Sequence, residues 1–468
     1  MYFRKLNLDT ITPVSIYSKI KELYKNDITF LFESVVNNEQ GNFSFIIIGF
    51  QERIVHKNQK SYYIDRFNNK KEISENPFVF LREYYKNIDF KKQQDFNKEI
   101  NVGFTDGFIG YIGYDMVCEF EPKLKKQMLN LKDEFNIPDL DLIRPKIILA
   151  YSHKNSQLTI ISSLQEMVCE FDNIVIKLKE PQQFLDIQKA IKLDDGKFEF
   201  SKEQFFEMID KSKEMIKSGD VFQILMSNRY TQQIEIDNFS FYRTLRAKNP
   251  SPYLFMLEYE DFSIIGSSPE VMIRLQEGEI LLRPIAGTRK RGKTLKKDHE
   301  MEIELTTDEK EKAEHIMLVD LGRNDVGRVA KKGSVHVSHL MRVEKYSHVM
   351  HLVSDVEAEL DENHDMFDLF ESTFTAGTMT GAPKIRAMEL IAEFEGVKRG
   401  FYSGAIGYFG FDGNLDSAIA IRTSLIKDNK IYLQAGAGIV ADSQNELEYL
   451  EVTNKMAALK SAIDELCK

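Results

Sequence analysis

The chain has 468 residues, 43% hydrophobic and 29% charged, with a formal net charge of −11. This is the composition of a soluble globular protein able to bury a large core, and the acidic balance excludes a general binder of nucleic acid or anionic membrane while leaving room for a local basic pocket. Cys118, Cys169 and Cys467 are far apart and form no CxxC pair, so spacing gives neither a disulfide framework nor a zinc site and suits a reducing cytoplasm. The opening stretch MYFRKLNLDTITPVS lacks the apolar core and cleavage site of a secretory signal, and no run reaches the length of a membrane span.

In chain order, DITFLFESV (27–35), FSFIIIGF (43–50) and YYIDRF (62–67) read as strands opening a sheet. FTDGFIGYIGYDMV (104–117) reads as a strand entering a helix, and PKIILAYSH, QLTIISSL and NIVIKL are expected to complete an N-terminal sheet. A change of unit falls near residue 195. There Ser201 and Gln204 fit a capping box, and Phe205, Phe206, Ile209 and Ile216 keep a helical stripe that ends at Gly219. VFQILMSNRYTQQI then reads as a strand carrying Gln223. DSAIAIRTSLI (416–426) is expected to be a single strand that sets Ala418, Ala420, Arg422 and Ser424 on one face, with turns at Asp412-Gly413 and at KDN (427–429) on either side.

Two pairs of glutamates stand at helical i, i+3 spacing: Glu311 and Glu314 in EKEKAEHIMLVDLGRND, and Glu448 and Glu451 in SQNELEYLEVTNK. Residues three apart share a helix face, so two such helices facing each other would suit a hard cation such as Mg²⁺. Helix caps explain the same pattern: Asp308 with Glu311, and Ser443 with Glu446, also fit capping boxes.

The stretch between the pairs holds RPIAGTRKRG (283–292), HIMLVDLGRNDVGRV (315–329), YSHVMHLVS (346–354), TAGTMTGAPKIRAMELI (375–391), YSGAIGYFGFDGNLDSAIAIRT (402–423) and QAGAGIVADS (434–443). In this order these motifs resemble the chorismate-using enzymes, most closely the anthranilate synthase large subunits, densely from Gly219 to Lys455 and more thinly back to Leu31. The resemblance implies an α+β fold with a large two-sheet β core and helices packed outside. Residues 1–194 would contribute sheet and a regulatory pocket, and 195–468 the chorismate-binding catalytic domain. It also implies Mg²⁺ among Glu311, Glu314, Glu448 and Glu451, gripping the ring carboxylate of chorismate. Arg422 with Tyr408 would hold the enolpyruvyl carboxylate, the amides of Gly436, Ala437 and Gly438 would add donors, and Lys455 would offset charge near the metal. Glu270 corresponds to the general acid for the departing ring hydroxyl, and His351 and Thr378 to residues that orient the ring and assist the later elimination. His348 is expected to be a core histidine.

Two positions narrow the reading within the family. Gln223 stands where the water-adding members carry a lysine, and Ala286, in PIAGT, stands where aminodeoxychorismate synthases carry the lysine that attacks the ring. The expected activity is therefore anthranilate synthase: ammonia adds as the hydroxyl leaves, and pyruvate is then eliminated. The alternatives are an aminodeoxychorismate synthase of the folate pathway and a non-catalytic tryptophan-sensing subunit. No cysteine lies in a GxCxG elbow, so ammonia is expected from glutamine through a separate amidotransferase subunit. Leu31, Glu33 and Ser34, with Asn249, Pro250, Ser251, Pro252 and Tyr253, resemble the two elements of an inhibitory L-tryptophan pocket.

Overall fold

The computed structural model describes residues 1–34, 43–181, 185–346 and 349–468. Val35 and His348, named in the sequence reading, lie outside them. Two long strands, Phe43–Lys57 and Leu140–Ser152, run side by side and belong to two sheets at once. At one end they pair outward with Thr29–Glu33 and Gln157–Ser162; at the other, with Lys60–Asp65 and Gly107–Ile112. The first sheet continues from Thr29–Glu33 through Tyr253–Glu258, Ser263–Ser268, Thr423–Lys427 and Lys430–Ile439 to Gln223–Glu235. The second continues from Gly107–Ile112 through Ala405–Gly410, Leu415–Ile419, Val271–Gln276 and Glu279–Leu282 to Val349–Glu359.

The apolar runs that read as buried strands are buried on both faces, as such runs require. Leu31, Ile46, Ile48, Leu149, Leu254 and Ile265 point into one core, covered by the helices Pro13–Leu23, Val168–Lys179, Lys202–Lys217, Asn238–Lys248 and Asn445–Leu466. Their neighbours Phe30, Ile47, Ile148, Phe255 and Ile264 point the other way, into a core shared with Ile109, Ile273, Phe409 and Ile419 of the second sheet. The capping box at Ser201 is formed in both directions, and the helix it opens ends just before Gly219, whose φ of 85° suits glycine.

Two expectations need correction. NIVIKL lies in the helix Val168–Lys179, because Phe171, Ile174 and Leu178 form a buried helical stripe while Glu170, Asp172 and Lys179 do not. Ser443 and Glu446 form no capping box: Ser443 accepts from Val440 N at 3.0 Å and Glu446 pairs with Lys202 at 2.8 Å. Strands of residues 1–194 pair into the same two sheets as those of 195–468, Thr29–Glu33 with Tyr253–Glu258 and Gly107–Ile112 with Ala405–Gly410.

Candidate active site

Two neighbouring strand pairs cross from the first sheet to the second at the same level. Ser263–Ser268 hands over to Val271–Gln276 at Glu270, and Thr423–Lys427 meets Leu415–Ile419 across Ala420–Arg422. Ile419 N donates to Glu270 O at 3.0 Å and Ser267 N to Arg422 O at 3.1 Å, so the breaks are registered on each other. The single strand expected over 416–426 is thus two, and Arg422 stands between them with a left-handed φ of 51°. That conformation costs a non-glycine residue energy, and such strain gathers at functional sites.

Glu270 is 7% exposed and accepts a hydrogen bond from Thr378 Oγ1 at 3.0 Å. Burial drives its pKa up to about 7, against the hydrogen bond from Thr378 and the positive charges of Lys455 and Arg422. A carboxyl still half protonated near neutrality can donate a proton to a leaving oxygen. Arg422 is half-buried; burial lowers its pKa, and Tyr402, Glu270 and Glu451 act in the opposite sense. It stays a cation, with a fork suited to a carboxylate.

His351 lies on Val349–Glu359 opposite a bulge in the strand Ile285–Lys290, where Gly287 turns with φ 61°. Its Nδ1 is 3.1 Å from Gly287 O and 3.0 Å from Thr288 Oγ1; a carbonyl oxygen only accepts, so the Gly287 contact is a hydrogen bond in the tautomer that protonates Nδ1 and leaves Nε2 its lone pair. Burial lowers its pKa, with Arg422 and Lys455 adding to the effect and the Gly287 bond opposing it, so the ring is neutral at pH 7.

Gly436, Ala437 and Gly438 sit in the strand Lys430–Ile439, paired with Gln223–Glu235 on one side and free of Thr423–Lys427 from Gln434 onward. Leu225 N donates to Thr380 O and Ser227 N to Glu395 Oε1, so in the alternation of an antiparallel ladder Met226 and its partner Ala437 exchange the strand bonds. The Ala437 amide is therefore spent on the ladder. Gly436 and Gly438 face the open edge, where Gly436 O accepts from Lys455 Nζ at 2.9 Å. A Cβ on Gly438 would stand 2.3 Å from Gln223 Nε2, so only glycine leaves that side chain its place.

The acidic helices Glu309–Gly327 and Asn445–Leu466 close this end. Gln223 Nε2 donates to Glu314 Oε1 at 3.2 Å, while Gln223 Oε1 is buried without a partner among the described residues. Burial and the charges of Glu311 and Glu451 raise the Glu314 pKa, against the Gln223 bond and Lys455. Burial, with Glu451 adding to it and a Ser443 hydrogen bond opposing it, likewise raises the Glu448 pKa. Glu311 is held by Arg289 at 2.9 Å and Glu451 by Lys455 at 2.6 Å. Among the described residues no three His, Cys, Asp or Glu side chains converge into a ready metal nest. The donor set fits a hard cation that takes one or two carboxylates directly and keeps its water.

Tyr408 is not brought to Arg422. It packs against Phe104 in a tilted pair, with ring centroids 4.6 Å apart, and feels Asp416, Asp412 and Arg274. Tyr402 takes the expected place: its hydroxyl lies 3.1 Å from where a Cβ on Gly436 would be, and it interacts with Arg422. Tyr402 opens the YSGAIGYFG motif, so the signal stood earlier in the same string. Tyr408 instead neighbours Tyr253, whose hydroxyl donates to Asp416 Oδ1 at 2.8 Å. The two expected tryptophan elements are adjacent, with Glu33 opposite Leu254 in neighbouring strands. Leu31 faces the helix-covered core, and Glu33 is buried against Tyr242 at 2.5 Å and Arg246 at 2.8 Å. Ser34 follows the strand, half-buried. Asn249 bonds Ser267 Oγ at 3.3 Å, and Pro250, Ser251 and Pro252 lead into the strand that starts at Tyr253.

Fold and site together define a class: a two-sheet α+β protein with a buried carboxylic acid and an arginine at the crossing of two sheets, and a carboxylate-lined mouth. The profile of the chorismate binding enzymes matches residues 29–461. Component 1 of anthranilate synthase from Aquifex aeolicus is 41% identical over 99% of this chain and 94% of its own length, and that from Acetivibrio thermocellus is 41% identical over 98% and 94%. The crystal structure of anthranilate synthase component I from Streptococcus pneumoniae TIGR4 superposes with a TM-score of 0.78 at 32% identity, covering 97% of this chain and 99% of that one. The chain belongs to the chorismate-binding enzyme family. Among the described residues no helix is long and apolar enough to cross a membrane.

Proposed function

We propose that this chain is the chorismate-converting subunit of an anthranilate synthase, acting in the cytoplasm at the first step of tryptophan biosynthesis. The placement of a buried acid at about pH 7, Glu270, across from Arg422 at one crossing point is the observation that carries this reading. Arg422 would grip the enolpyruvyl carboxylate, with Tyr402 and the Gly436 and Gly438 amides completing the contact. Glu270 would pass its proton to the ring hydroxyl, which leaves as water while the nitrogen of ammonia bonds to the ring. In the second step the ring gives up a proton, the enolpyruvyl methylene gains one, and the ether bond breaks to release pyruvate and the aromatic product. His351, which contacts Gly287, and Thr378, which donates to Glu270, would orient the ring and assist that elimination. Mg²⁺ held by Glu314 and Glu451, with Glu311 and Glu448 directly or through water, would supply positive charge for the ring carboxylate.

Incubating the purified chain with chorismate, Mg²⁺ and ammonium salt should give anthranilate and pyruvate in equal amounts. Aminodeoxychorismate as the only product would refute the assignment. Glutamine should replace ammonia only when a separate amidotransferase subunit is added. Tryptophan bound between the Leu31–Ser34 and Asn249–Tyr253 elements is proposed to inhibit, needing a coupling of about 1–3 kcal/mol between pockets. Ser34→Phe should then relieve inhibition with little change in uninhibited rate, and undiminished inhibition would place the effector elsewhere.

A further inference from the structure

The helix Lys384–Glu395 stops at Gly396, whose φ of 64° is the left-handed turn that glycine takes most readily, and Arg399 reaches back to the helix end. Its Nε donates to Glu395 Oε2 at 2.9 Å and its Nη2 to Oε1 at 2.6 Å, with both side chains buried. Burial acts against the guanidinium charge and Glu395 more than offsets it, so Arg399 stays a cation. A buried ion pair is weak evidence of a stabilising role, because desolvation opposes the attraction. Its purpose is better read from what else the fork holds.

The remaining bonds go to two backbone carbonyls from distant parts of the chain. Nη1 donates to Met379 O and Nη2 also to Leu225 O, both at 2.9 Å. Met379 ends the short turn Gly377–Met379 that carries Thr378, and Leu225 belongs to the strand Gln223–Glu235. Leu225 N already donates to Thr380 O at 2.8 Å, so the guanidinium closes a second link between that turn and that strand. Glu395 Oε1 accepts from Ser227 N and Ser227 Oγ, both at 2.9 Å, which anchors the pair on the same strand. Thr378, next to Met379, is the residue that donates to Glu270 Oε1 at 3.0 Å.

We infer that Arg399 is a positioning residue: it clamps the Thr378 turn to the strand Gln223–Glu235 and so keeps Thr378 on the Glu270 carboxyl. The inference rests on Glu270 being the acid of the proposed function. Glu270 is faced by Thr378 from the turn, by Arg422 from the sheet crossing and by Lys455 from Asn445–Leu466. Arg283 and Asp325, which line the cavity beside it, are paired with Asp355 and Lys384. Burial raises the Glu270 pKa, and the Thr378 bond is the largest of the effects that lower it. Losing that bond raises the pKa further and moves the alkaline limb of kcat/KM to higher pH. A pair that served only the fold would change the melting temperature and leave the limb in place.

The test is the pH profile of kcat/KM for chorismate with Mg²⁺, taken across neutral and alkaline pH at a fixed concentration of free ammonia. In Arg399→Met the limb should stand about half a pH unit or more above that of the wild type, the worth of one hydrogen bond. Thr378→Val should move it equally, and Arg399→Met added to Thr378→Val should move it no further, since both act through one bond. Glu395→Gln disturbs the same buried pair but leaves the Arg399 bonds to Met379 and Leu225, so its limb should match the wild type. A limb unmoved by Arg399→Met, a further shift in the double variant, or as large a shift in Glu395→Gln overturns the inference. Should Arg399→Met not fold, Arg399→Met combined with Glu395→Gln, which leaves no unpaired buried charge, takes its place with the same expected shift. A wild-type profile without an alkaline limb overturns the Glu270 reading and this inference with it.

Discussion

At Glu270 two separate demands meet in one side chain. Burial that raises its pKa to about 7 makes it a proton donor, and the same burial destabilises the folded protein once the group ionises. The unfolded glutamate ionises near pH 4.5, so the native state holds an extra proton between that value and about 7. The stabilising difference is complete below pH 4.5 and is lost as pH rises through 7, roughly 3 kcal/mol in all. Glu270→Gln should therefore gain stability relative to wild type as pH is raised from 4.5 to 8, seen in melting curves, while its rate from chorismate falls about 100-fold or more. Wild-type kcat/KM should decline above pH 7 as the acid ionises, and a flat profile to pH 9 would remove Glu270 from that role. Nothing local in SSPEV announced this, because burial is a property of the fold; the family resemblance alone singled it out. The tyrosine was misplaced for a related reason. Tyr402 and Tyr408 stand in one glycine-rich string, and only the fold shows that the first meets Arg422 while the second packs on Phe104.

The elements that carry the site are irregular where the sequence reads as regular. DSAIAIRTSLI has the alternation of one strand, yet it breaks at Arg422, because the neighbouring strand breaks at Glu270 and the two sheets must be entered together. The hairpin turns on either side were legible: Gly413 and the Asp428-Asn429 pair take the positive φ that such turns require. NIVIKL failed because a short β-branched run has the same composition in a helix as in a strand, and the deciding stripe begins upstream at Phe171. The AGAG stretch is a strand whose missing side chains make room for Gln223. Gly438→Ala puts a Cβ 2.3 Å from the end of that flexible side chain, which can swing away, so the fold should tolerate it. Swinging breaks the bond to Glu314 and misplaces the mouth. The expected outcome is a melting temperature close to wild type with kcat/KM lowered about 100-fold. Wild-type activity would show that Gln223 holds nothing that matters.

Across the whole molecule, the N-terminal strands are built into both sheets alongside strands from beyond residue 195. Sequence patterning reached the apolar strands and the helix opened by Ser201 because their apolar residues repeat at short range. It could not reach the crossing of the sheets, which depends on partners more than a hundred residues apart. That crossing brings Glu270, Arg422, the glycine strand and the acidic helices to one place, and the proposed chemistry depends on it. The most direct test is a crystal structure of the Glu270→Gln chain with Mg²⁺ and chorismate. The ring carboxylate should lie at a cation beside Glu314 and Glu451, the enolpyruvyl carboxylate on Arg422, and the ring hydroxyl against residue 270. Chorismate bound away from Arg422, or with its hydroxyl directed away from position 270, would contradict the account.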